Sequence, residues 1–100
     1  MSFVGGSGGE VRKTRPAIIV SNDVANLHAN RVQVVPLSSK TEKLYPCDAK
    51  VLVAGQESKA MADQLTTVAK EKCTGRIGVL SASDMRIVEM AVRIQLGLVA

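Results

Sequence analysis

The chain has 100 residues, 46% of them apolar and 22% charged, a globular balance that excludes a low-complexity repeat or a disordered tail. One domain fits this length and a second does not; folding should bury roughly 65% of the unfolded surface, enough for one modest core. Thirteen Lys and Arg against nine Asp and Glu give a net charge of +4, so an anionic partner such as nucleic acid is a first suspicion.

No apolar run approaches the roughly 20 residues that cross a bilayer. The start, Met1-Ser2-Phe3-Val4, has neither the basic flank nor the apolar length of a signal peptide, so a cytoplasmic protein without membrane association is expected. Cys47 and Cys73 belong to no CxxC or Cys/His cluster, and only His28 could join them; no metal or other cofactor is expected, and the two thiols read as small core fillers. Phe3 and Tyr45 are too few for a platform of stacked bases, so any nucleic acid would be held mainly through its phosphates and backbone.

In chain order, residues 1–9 read as a flexible N-terminal segment, because Val4-Gly5-Gly6-Ser7-Gly8-Gly9 has the composition of a linker. Residues 10–100 form the single domain. Arg12 stands where a phosphate-binding loop needs glycine before Lys13-Thr14, which rejects that motif. Ala17-Ile18-Ile19-Val20 predicts a strand entered at Pro16, and Asn22 to Asn30 a polar loop. Arg31 to Leu37 predicts a second strand, and Tyr45, Cys47, Ala49, Val51 and Val53 share one face of a third. Gly55-Gln56-Glu57-Ser58 reads as a turn, Ala60 to Ala69 as a strand and Arg76 to Leu80 as one more.

Ser81 with Asp84 three residues on opens the clearest helix, and Gly97 offers its stop. Ile87, Met90, Ala91, Ile94 and Leu98 form one apolar stripe, with Met85, Val88, Val92 and Leu96 forming another beside it. A helix apolar over so much of its circumference is expected to pack on its own domain and to touch a second copy. Short strands, polar turns and one late helix describe a mainly β domain, a strongly bent sheet or partial barrel with a C-terminal helix.

The run Gly9-Glu10-Val11-Arg12-Lys13-Thr14-Arg15-Pro16, followed by the Ala17 to Val20 strand and Ser21-Asn22-Asp23, resembles the signature of the MazF/PemK toxin family. Val35-Pro36-Leu37-Ser38-Ser39, Ala62-Asp63-Gln64-Leu65 and Leu96-Gly97-Leu98 extend that resemblance over about residues 8–98. The resemblance implies an SH3-like small barrel of the PemK and gyrase-toxin type, a homodimer, and a cognate antitoxin as partner. The implied activity is metal-free, sequence-specific endoribonuclease cleavage of single-stranded mRNA. The gyrase-poisoning branch usually relies on a C-terminal tryptophan, and this chain has none.

Metal-free RNA cleavage uses the substrate's own 2′-hydroxyl as nucleophile, so the protein must remove a proton, stabilise a crowded phosphate and protonate the leaving 5′ oxygen. A single histidine excludes a two-histidine mechanism. Arg15 matches the family's catalytic arginine, and a guanidinium can clamp two phosphate oxygens; otherwise it is a surface ion-pair residue before a strand. Ser38 stands where relatives often carry Thr, and its hydroxyl can bond the scissile phosphate or simply close a strand end.

Glu10 matches a glutamate that could remove the proton or orient Arg15; the alternative is a solvated loop carboxylate. Asp63 is a weaker catalytic candidate, because Met61 replaces the arginine that accompanies it in relatives. Lys13, Thr14, Ser39 and Lys40 could hold flanking phosphates. Relatives begin with a longer alternating strand, whereas only Met1 to Val4 precede the glycines here, so the first strand reads as shortened or missing. The alternative function is therefore a catalytically inactive toxin-like protein that binds antitoxin or RNA.

Overall fold

Ala17-Ile18-Ile19 and Val34-Val35 are apolar without alternation because the strands carrying them are covered on both faces. In the computed structural model, which describes residues 2–5, 16–73 and 75–98, seven short strands and two helices succeed one another. They are β1 (Ser2–Gly5), β2 (Pro16–Ile19), α1 (Asp23–His28), β3 (Arg31–Ser38), β4 (Asp48–Val53), β5 (Gln56–Met61), β6 (Thr66–Ala69), β7 (Arg76–Gly78) and α2 (Ala82–Leu96).

The strands hydrogen-bond in the order β4-β5-β3-β2-β1-β7, and β6 adds to β3. The longest, β3, is the hub: Arg31 to Val34 pair with β6, Leu37 and Ser38 with β5, and Val34 to Pro36 with β2 on the other side. Its pairing thus changes partner along its length, which bends the sheet without closing it. The sheet is mainly antiparallel, but β1 runs parallel to both its neighbours. The first strand is therefore short rather than missing, and it occupies part of the segment whose composition reads as flexible.

One core cluster joins Ile18, Val35 and Leu37 to Ala49, Val51, Val53 and Ala60 of the β4–β5 hairpin and to Val88 and Ala91 of α2. The second, on the opposite face, joins Ala17, Ile19, Val32 and Val34, with Val68 and Cys73 at its margin. Each fully buried Val or Ile here contributes about 1.5–3 kcal/mol by leaving water. Cys47 and Cys73 are half-buried, outside any disulfide, and pack against these clusters.

Three local expectations are corrected. Asn22 to Asn30 is not all loop: the Asn22 side chain caps α1 by accepting from the Ala25 amide at 2.8 Å, and buried Asn26 donates to the Ser21 carbonyl at 2.9 Å. Residues 56–58 are not a turn but the start of β5, because Ala54 and Gly55 alone make the reversal. Ala60 to Ala69 is not one strand: β5 ends at Met61, a 3-10 turn spans Ala62–Gln64, and β6 follows.

The helix at the end of the chain forms as its sequence predicts. Ser81 Oγ accepts from the Asp84 amide at 3.0 Å, and Gly97 terminates the helix at φ 71. Val88 and Ala91 are buried, with Met85 and Val92 packed beside them, whereas Ile87, Met90 and Ile94 remain exposed.

Candidate active site

The C-terminal end of β3 opens into a cleft of about 610 Å³. Pro16 enters it from the start of β2, Ser38, Ser39 and Lys40 from the end of β3 and its following loop, and Ile77 from β7. The β4–β5 hairpin adds Val53, Ala54, Gln56, Ser58 and Met61, and the 3-10 turn after it adds Gln64. Among the described residues, hydroxyls, side-chain amides and one ammonium therefore line the cleft between apolar patches.

Ser38 is half-buried, and its Oγ accepts from the Lys40 backbone amide at 3.1 Å. That bond occupies a lone pair and leaves the hydroxyl proton free to be donated outward. It also fixes the turn that sets the exposed Ser39 and Lys40 on the cleft wall. Of the residues singled out from the sequence, the structure thus brings together Ser38, Ser39 and Lys40. Glu10, Lys13, Thr14 and Arg15 lie outside the described residues; Arg15 is covalently joined to Pro16, which lines the cleft.

Asp63 sits elsewhere, exposed on the 3-10 turn, and is not part of the cleft lining. Its carboxylate, the Asp48 carboxylate and the Cys47 thiol offer three donor atoms within 4.8 Å of one another. Asp48 already accepts from the Tyr45 amide at 2.9 Å and faces Lys59 Nζ at 3.7 Å. Burial pushes the Cys47 thiol above its ordinary value, and the neighbouring charges of Asp63 and Asp48 push the same way. Through its bonds to the Tyr45 amide and Lys59, the Asp48 carboxylate ties down the start of β4. His28 is exposed in the last turn of α1, away from the cleft.

Gln56 and Ser58 line the cleft without belonging to any sequence motif, whereas Gln64 lines it from within the Ala62-Asp63-Gln64-Leu65 block and Met61 stands just before that block. The signal available for Gln56 and Ser58 was alternation: Gln56, Ser58 and Ala60 follow with period two, and Ala60 is fully buried.

Residues 1–96 match the family model described as PemK-like, MazF-like toxin of type II toxin–antitoxin system. The chain is 34% identical to the endoribonuclease MazF9 of Mycobacterium tuberculosis, over 91% of this chain and 85% of that protein. Among solved structures, an endoribonuclease in complex with its cognate antitoxin, from a mycobacterial species, superposes with a TM-score of 0.82 at 23% identity, covering 97% of both chains. A MazE–MazF complex from Deinococcus radiodurans gives 0.77 at 20% identity, covering 95% of this chain and 97% of that one. These two share the fold. The family-model match over nearly the whole length, carried by a sheet with a C-terminal helix, identifies the chain as a member of the PemK-like, MazF-like toxins of type II toxin–antitoxin systems.

Proposed function

We propose that this protein is an endoribonuclease toxin that cleaves single-stranded mRNA at preferred sequences, without a metal ion, and is neutralised by a cognate antitoxin. The observation that carries the reading is the cleft at the end of β3, which Pro16 lines directly after Arg15 in the sequence and where Ser38 keeps a free hydroxyl proton. The naming of MazF9 as an endoribonuclease supports the activity, and relatives solved with antitoxins support the partner.

In this mechanism the RNA 2′-hydroxyl attacks the adjacent phosphorus, the 5′ oxygen leaves, and a 2′,3′-cyclic phosphate forms. Arg15 clamps the non-bridging oxygens as charge builds on them, and Ser38 donates its proton as a hydrogen bond to the same phosphate. Glu10 takes the 2′-hydroxyl proton, or orients Arg15 while solvent water takes it, and a proton from solvent completes the leaving 5′-hydroxyl. Ser39 and Lys40, with Lys13 and Thr14, hold flanking phosphates. A wall of hydroxyls, amides and an ammonium, with no carboxylate among its described residues, supports phosphate binding rather than metal ligation.

The exposed row Ile87, Met90 and Ile94 on α2 supports a homodimer in which this face meets a second copy. The test of function is incubation with a long single-stranded RNA in excess EDTA, beside Arg15→Ala. Discrete cuts ending in a 2′,3′-cyclic phosphate and a 5′-hydroxyl, absent with the variant and abolished by antitoxin, are expected. No cuts from folded protein would favour an inactive binder; 5′-phosphate ends would contradict the mechanism.

A further inference from the structure

β5 has two faces with opposite fates. On one face, Glu57 pairs with Lys50 at 3.3 Å in the open, and Lys59 pairs with the buried Asp48 carboxylate at 3.7 Å. On the other face the row begins with Ala60, fully buried in the core, and then turns polar, with half-buried Ser58 opposite Val51 and exposed Gln56 opposite Val53. Both Gln56 and Ser58 line the cleft, and neither side chain has a hydrogen-bond partner among the described residues. The strand thus pairs the charged groups of one face and leaves the amide and hydroxyl on its cleft-lining face open.

The hairpin holds this row firmly. Val53 pairs directly with Gln56, and the two residues between them, Ala54 at φ 51 and Gly55 at φ 82, make the mirror-image reversal that fits strand twist. Ala54 accepts a left-handed conformation unusual for alanine. A two-residue turn of this kind gives Gln56 a fixed origin at the mouth of the cleft.

We infer that Gln56, assisted by Ser58, reads the edge of one unpaired RNA base in the cleft and so helps set the sequence preference of cleavage. Neutral amides and hydroxyls suit base edges, since an amide offers a donor and an acceptor side by side, whereas charged groups suit phosphates. Unpaired bases expose these edges. Tyr45 is not part of the cleft wall, so hydrogen bonding rather than aromatic stacking is the means of recognition its described residues provide.

This inference rests on the endoribonuclease reading, and one experiment separates the two. An unstructured RNA pool with a randomised segment is exposed to the parent protein, Gln56→Ala, Ser58→Ala, Gln56→Glu and the exposed-site control Glu71→Ala. Cleaved ends and retained RNAs are both sequenced, and folding is checked by circular dichroism. Gln56→Ala should still cut, with a total rate within about threefold of the parent, while discrimination at one base position falls by about tenfold or more. Gln56→Glu should alter the base favoured at that position, and Glu71→Ala should keep the parent's preference.

If Gln56→Ala and Ser58→Ala slow cleavage evenly at every sequence, or change nothing, the inference is overturned while the ribonuclease reading stands. If the parent cuts nothing, that reading fails, and the retained RNAs decide the inference alone. A base preference lost in Gln56→Ala supports it, and the absence of any Gln56-dependent preference overturns it.

Discussion

Asp84 Oδ2 accepts a hydrogen bond at 2.9 Å from the backbone amide of Leu52, tying the first turn of α2 to β4 at the end of the sheet. An outer strand presents unpaired amides, and here a carboxylate from the helix covers one of them. The same carboxylate lies at the positive end of the helix dipole. Asp84→Ala removes both interactions and should cost about 1–2 kcal/mol, at the low end for a charged hydrogen bond because the site is exposed. Thermal unfolding should fall by roughly 5–10 °C. Asp84→Asn keeps an acceptor and should lose about half as much; equal losses would leave the helix-dipole interaction as the explanation.

The sequence makes α2 legible because its signals agree: Ser81 caps it, Gly97 stops it, and its apolar stripes have helical spacing. Ala17-Ile18-Ile19 and Val32 to Leu37 are equally clear, since β-branched runs between turn formers have few alternatives. β5 was hidden because Gln56-Glu57-Ser58-Lys59 carries little β-propensity, and what makes it a strand is pairing with β4 across a reversal only two residues long. α1 was hidden because Asn22 and Asn26, read as loop residues, act as a cap and a buried tether. In the candidate site, Ser38 and its loop neighbours were legible through family resemblance. Gln56 and Ser58 were not, because they share a cleft with Ser38 only once β5 has paired with β3.

The Ala54-Gly55 reversal carries its own prediction. Ala54 at φ 51 forgoes the side-chain tolerance that asparagine has in the left-handed region, and Asn-Gly is the preferred pair for such a turn. Ala54→Asn should therefore stabilise the protein by about 0.5–1 kcal/mol, read as a higher urea midpoint with an unchanged slope. A loss of stability would mean that the added amide disturbs the cleft wall that Ala54 helps to form.

Cys47 titrates above its ordinary value of 9.0, first because it is desolvated and then because Asp63 and Asp48 are close. The folded protein holds this proton more tightly than the unfolded chain does. The corresponding stability is present in full below the unfolded thiol's pKa and is lost as the pH rises through the folded one. At pH 8, iodoacetamide should label Cys47 at least about fivefold more slowly than the same cysteine in urea-unfolded protein, measured site by site with mass spectrometry. Asp63→Asn should narrow that gap by removing one of the charges that oppose thiolate formation. An unchanged gap would leave burial and Asp48 as the causes.

Ser38 offers the sharpest separation of a structural from a catalytic hydroxyl. Its oxygen accepts from the Lys40 amide at 3.1 Å, a local turn bond at an exposed strand end, so losing that bond should cost about 0.5–1 kcal/mol of stability. Its proton, on the proposed mechanism, is donated to a phosphate whose charge grows in the transition state, an interaction worth about 10²–10³-fold in rate. Ser38→Ala should thus lower single-turnover cleavage by roughly that factor while its thermal midpoint falls by only about 2–5 °C. Ser38→Thr restores the hydroxyl and adds a methyl that restricts its rotamers, so its rate should match or exceed the parent's. Cysteine at this position would supply only a weak donor and should remain close to alanine. If alanine, threonine and cysteine all cleave at the parent's rate, the hydroxyl serves the turn alone, and the phosphate must be held by Arg15 and its basic neighbours.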